Sequence, residues 1–78
     1  MDMTKTYDSE EFNNAYTKEI LREVSILLKE RGYNPINQIV GYLMSGDPGY
    51  ITNYKNARHK MTSIERSKFL EVLVKEAI

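Results

Sequence analysis

Ile20-Leu21-Arg22-Glu23-Val24-Ser25-Ile26-Leu27-Leu28-Lys29-Glu30-Arg31-Gly32 is the stretch that decides the fold. Ile20, Val24, Leu27 and Leu28 fall at i, i+4, i+7 and i+8, with Leu21 widening the stripe, as on the apolar face of an α-helix. The pattern begins near Ala15. Lys29 and Arg31 stand in the last turn, where cations complement the helix dipole. Gly32 follows as the residue that ends it. Downstream, Asn34-Pro35 predicts a second helix with Asn34 as N-cap and proline at the first position. Ile36, Ile39, Val40 and Leu43 form its apolar face, and Ser45-Gly46 stops it. Asp47-Pro48 repeats the cap-plus-proline device, and residues 49–53 fit one helical turn or a loop. A short helix is expected over Tyr54 to Met61. Thr62-Ser63-Ile64-Glu65 reads as a capping box with Thr62 as the cap. The last helix then buries Phe69, Leu70, Leu73, Val74 and Ala77. Upstream, residues 1–14 show no sustained period and carry a polar, acidic run from Asp8 to Asn14. They are expected to form a flexible tail before a single helical domain, 15–78. No segment alternates with the period of a strand. The fold class is all-α, a small bundle of about four to five helices.

At 78 residues, with 41% hydrophobic and 28% charged side chains, the chain is one small globular domain. A core this small often finds its missing burial in a partner subunit. The absence of cysteine removes disulfides, thiol nucleophiles and thiolate zinc sites. The longest run free of polar residues, Ile39 to Met44, is far short of the ~20 residues of a membrane span. No basic region followed by an apolar stretch opens the chain, and a cytoplasmic protein is expected. The 11 basic and 11 acidic side chains cancel, though residues 55–78 carry a local excess of +3.

Two features point to an interface. Gly41 lies inside the second helix, where glycine costs about 1 kcal/mol relative to alanine. Either the weakness is tolerated or another helix, of this chain or a second copy, approaches closely there. Tyrosine is over-used: four of the six lie between Tyr33 and Tyr54. Tyr33, Tyr42 and Tyr50 are candidates for an interface, where the ring buries area and the hydroxyl keeps a partner. Phe69 and Leu73 join them, because the apolar residues of the last helix face too many directions for one core.

Catalytic chemistry finds no constellation. His59 lies between Arg58 and Lys60 with no second imidazole to complete a metal site. The carboxylate pairs fall at exposed or tail positions. Ser45-Gly46-Asp47-Pro48-Gly49 lacks the lysine and spacing of a phosphate loop, and Asp47 repels phosphate. The expectation is a non-enzyme with no cofactor, metal or small-molecule substrate. The alternative is a helical nucleic-acid-binding module using Lys55, Arg58, Lys60, Arg66 and Lys68. The stretch of about eight residues between its two helices is long for a helix-turn-helix, and zero net charge weakens counterion release.

The block Gly32-Tyr33-Asn34-Pro35-Ile36-Asn37-Gln38-Ile39-Val40-Gly41-Tyr42-Leu43-Met44-Ser45-Gly46-Asp47-Pro48-Gly49-Tyr50-Ile51 resembles the signature of the IreB family, small regulatory phosphoproteins of Gram-positive bacteria. Ala57-Arg58, Glu65-Arg66 and Leu73-Val74-Lys75 continue the resemblance in register. It implies a cytosolic, all-helical homodimer, intertwined or face to face, with no enzymatic activity. It also implies phosphorylation on N-terminal threonine by a membrane-anchored Ser/Thr kinase with extracellular PASTA repeats, opposed by a cognate phosphatase. The family acts as a negative regulator in the response to cell-wall stress and cephalosporins. By position, Thr4 matches a phosphoacceptor, and Thr6 matches a second under a one-residue shift.

Overall fold

In the computed structural model, which describes residues 2–78 with side chains from Glu10 onward, four α-helices follow one another. They are α1 (Asp2–Glu30), α2 (Pro35–Ser45), α3 (Ala57–Thr62) and α4 (Arg66–Ala77), with 3₁₀ turns at Pro48–Tyr50 and Tyr54–Asn56. No strand occurs among the described residues. A helix of 29 residues measures about 44 Å, which accounts for a long overall dimension of 47 Å.

Helix α1 is the spine against which α2, α3 and α4 all pack. Its stripe is the expected one: Ile20, Val24, Leu27 and Leu28 are buried and Leu21 packs beside them. The other elements add Ile39, Tyr42, Leu43, Ile51, Ala57, Met61, Phe69 and Val72. Thr17 is the single buried polar side chain among the described residues, and its hydroxyl donates to the Asn13 carbonyl at 2.8 Å. The chain leaves α1 at Gly32 and restarts at Asn34, whose Oδ1 accepts from the Asn37 amide at 3.0 Å. Asp47 Oδ1 accepts from the Gly49 amide at 2.8 Å and caps the first 3₁₀ turn.

Helix α1 runs from Asp2 across the position after residue 14 where the helical domain was expected to begin. Three expectations are corrected. The helix expected over 54–61 is a 3₁₀ turn followed by α3, because Lys55 (φ 48°) and Asn56 (φ 65°) both take left-handed backbone conformations. Thr62 caps nothing at its N-terminal side. Met61 is fully buried and carries α3 on to Thr62, whose hydroxyl donates back to the His59 carbonyl at 3.3 Å. Helix α4 starts only at Arg66, with Glu65 in the cap position and no side-chain bond there. Finally, α4 buries Phe69 and Val72, whereas Leu70, Leu73 and Val74 are 43–56% exposed.

Candidate functional site

The signature block folds on itself as a small unit beside α2. Gln38, Gly41 and Ser45 recur along one face of α2 at i, i+3 and i+7, and that face seats the Pro48–Tyr50 turn. Gln38 Nε2 donates to the Tyr50 carbonyl at 3.0 Å. Ser45 Oγ donates to the Gly41 carbonyl at 2.7 Å and accepts from the Asp47 amide at 3.0 Å. The Tyr50 ring lies over Gly41 so closely that a Cβ there would stand 2.5 Å from Cδ1 and Cε1. Of the two readings of Gly41, close approach fits, but what approaches is an aromatic ring nine residues on in the same chain and not another helix. Gly41→Ala should displace Tyr50 and lose stability in the wild-type background. In a Tyr50→Ala background the same change should gain about 1 kcal/mol, because only helix propensity is left to act. Urea denaturation of the four proteins checks the reversal of sign.

The end of α2 is finished from a distance. Gly46 takes φ 78° and its amide donates to the Tyr42 carbonyl at 2.7 Å. Arg66, in the first turn of α4, donates through Nη1 to the Leu43 carbonyl at 3.0 Å. This bond satisfies an orphan carbonyl of the last turn and places a cation at the negative end of α2.

The outer surfaces of α2 and α4 form an apolar face. Ile36, Val40 and Met44 make a row at i, i+4 and i+8, exposed by 71%, 51% and 81%. Leu70, Leu73 and Val74 lie exposed on α4. Between them runs a groove of about 260 Å³, bordered by Leu21, Ile36, Ile39, Val40, Leu43 and Leu73. Of the residues expected at an interface, Leu73 borders this groove, and Tyr33 and Tyr50 are half-exposed elsewhere. Tyr42 and Phe69 lie in the core of the single chain, 5% and 0% exposed. The sequence missed Met44 and Leu70, whose exposure depends on how the helices dock.

The basic residues are largely engaged inside the chain. Arg58 Nε donates to the Ile51 carbonyl at 2.9 Å, and Lys60 pairs with Glu23 at 2.9 Å. Lys68 Nζ donates to Asn14 Oδ1 at 2.7 Å, while Arg66 caps α2. Lys55 and Arg31 stack on the Tyr54 ring at 5.3 and 5.1 Å. These contacts take up part of the donor set that a nucleic-acid surface built on these cations would use. His59 is exposed, and no cluster of three or more metal-ligating side chains occurs among the described residues. No helix among them is long and apolar enough to cross a membrane. Thr4 and Thr6 fall within α1, and their side chains lie outside the described part of the structure.

Comparison with known proteins matches nearly the whole sequence and not the central block alone. The family described as "IreB regulatory phosphoprotein" matches residues 2–78. A UPF0297 protein of Ruminiclostridium cellulolyticum is 59% identical over 68 residues, covering 87% of this chain and 75% of that protein. The family match thus runs from α1 through α4, and the chain belongs to the IreB family of regulatory phosphoproteins.

Proposed function

We propose that this chain is a non-enzymatic cytoplasmic regulator, phosphorylated on Thr4 or Thr6 by a PASTA-domain Ser/Thr kinase and reset by a cognate phosphatase. It acts as a homodimer in the response to cell-wall stress and cephalosporins. The observation that carries this reading is the family match to regulatory phosphoproteins, which takes in both threonines. Phosphate adds about −1.5 to −2 charges per site, enough to alter how the N-terminal part of α1 lies on the body and how the protein meets its partners. The paired body is left intact. A second copy is the natural cover for the apolar face of α2 and α4, since a chain this short has a small core of its own.

Intact mass after incubation with ATP and the catalytic domain of the host's PASTA-type kinase tests the reading. Wild type should gain one or two phosphates, and Thr4→Ala with Thr6→Ala should gain none. Native mass spectrometry of the same samples should show a dimer that survives phosphorylation and that Val40→Asp converts to a folded monomer. No phosphate on wild type would sink the kinase assignment, and a monomeric wild type would sink the dimer.

A further inference from the structure

The N-terminal half of α1 is held differently from the rest of the helix. Between Glu10 and Tyr16 no side chain is buried; Asn14 is half-buried, Tyr16 is half-exposed, and Phe12 is 70% exposed. Burial begins at Thr17 and Ile20. Helical stability in proteins comes mainly from packing an apolar face, so a solvated extension has little beyond its own propensity. Here that propensity is poor, because Asn13 and Asn14 favour caps and turns over helix interiors.

What ties this segment to the body is polar. Lys75 Nζ donates to Glu10 Oε2 at 3.1 Å, and Lys68 Nζ donates to Asn14 Oδ1 at 2.7 Å. One turn further, Lys18 pairs with Glu76 at 2.6 Å. Glu71 stands between the two lysines of α4, 3.1 Å from Lys75 and 3.9 Å from Lys68. Its bond to Lys75, then the charge of Lys68, holds its carboxyl below the usual glutamate value. Bonds to Glu71 and then Glu10 raise Lys75. Along α4, Lys68, Glu71 and Lys75 thus form a charged row at i, i+3 and i+7 against which the arm lies. Thr6 is about one turn N-terminal of Glu10 on the same helix, and Thr4 lies farther along it.

We infer that Lys68 and Lys75 latch residues 10–16 of α1 onto α4, and that opening of this latch sets the rate at which Thr4 and Thr6 receive phosphate. The inference deepens the kinase reading above and rests on it. In the transfer, threonine Oγ1 attacks the γ-phosphorus of ATP and the bond to the bridging β–γ oxygen breaks. ADP leaves, and the hydroxyl proton passes to the catalytic base of the kinase. That geometry requires the oxygen in line with the leaving group. A threonine inside a continuous helix has its backbone committed to bonds four residues away and reaches such a cleft by local unwinding. Exposed polar pairs contribute little each, so the latch is weak enough to open often.

Lys68→Met combined with Lys75→Met keeps both stems and removes both charges. Lys29→Met, in the last turn of α1 and away from the arm, is the control. Amide hydrogen exchange of residues 10–16 and the initial rate of phosphate uptake with ATP and the PASTA-type kinase domain are measured side by side at low salt. In the double variant both should rise by about three- to tenfold, with neither moving in the control. Added salt should speed exchange in the wild type toward the variant. Unchanged exchange overturns the latch, and faster exchange with unchanged uptake overturns its control of phosphorylation. If neither wild type nor the double variant takes phosphate, the kinase reading fails and the inference falls with it.

Discussion

Phe69→Ala should cost about 3–5 kcal/mol and lower the thermal midpoint by about 15–30 °C. A domain of this length holds only about 4–12 kcal/mol in all, so the loss is about a quarter of the total or more. The effect is large because α4 buries only Phe69 and Val72, and Phe69 is the largest fully buried side chain among the described residues. Removing the ring opens a cavity in the cluster that also holds Val24, Leu28 and Met61. It also loosens α4, which carries Arg66 to the end of α2 and Lys68 and Lys75 to α1. Phe69→Leu keeps most of the volume and should cost no more than about 1.5 kcal/mol. Circular dichroism melts of the three proteins provide the comparison. A midpoint for Phe69→Ala within a few degrees of wild type would mean that α4 does not depend on the core for its position.

Gly46→Ala should cost about 2–3 kcal/mol from two separable causes. The backbone there is left-handed, at φ 78°, which penalises any residue carrying a Cβ by about 1–2 kcal/mol. The added Cβ would also stand 2.9 Å from Cζ and Nη2 of Arg66, so the guanidinium must shift, which weakens its bond to the Leu43 carbonyl. Arg66→Met removes the second cause in advance. In that background Gly46→Ala should cost only the conformational part, leaving a coupling of about 0.5–1 kcal/mol in a double-mutant cycle. Additive effects in urea denaturation would show that Arg66 does not hold the end of α2.

Both predictions concern contacts that span distant parts of the chain, and these were the parts least legible in the sequence. The apolar stripe of Ile20, Val24, Leu27 and Leu28 is buried as its spacing predicts, and Asn34 and Asp47 accept the amide bonds their positions suggest. Thr62 shows the limit of such local signs. Its place in a Thr-Ser-Ile-Glu run fits a cap, yet burial of Met61 carries α3 to Thr62 and moves the next helix start to Arg66. Residues 2–14 show the opposite case. Their sequence shows no sustained apolar period, so periodicity is silent, yet they lie in one helix with residues 15–30, and Glu10 and Asn14 of that helix bond to α4.

The site divides in the same way. That Gly41 and the tyrosines matter was visible from composition and spacing; which tyrosine meets the glycine was not. Tyr42 turns into the core, and Tyr50 returns over Gly41 because Gln38 holds its carbonyl. An excess of apolar residues on the last helix was equally plain, but only the placement of α1 and α3 selects Phe69 and Val72 for the core and leaves Leu70, Leu73 and Val74 outside. By itself, then, the sequence determined the all-helical class, the main stripe of α1, the start of α2 and the family. Tertiary structure decided which faces of α2 and α4 are buried, how Arg66 finishes α2 and where the arm of α1 rests. The division follows from range: periodicity and caps depend on residues within about four positions of one another, whereas the choice among several apolar faces is made by side chains more than 20 residues away, as between Arg66 and Leu43 at 23 and Lys68 and Asn14 at 54.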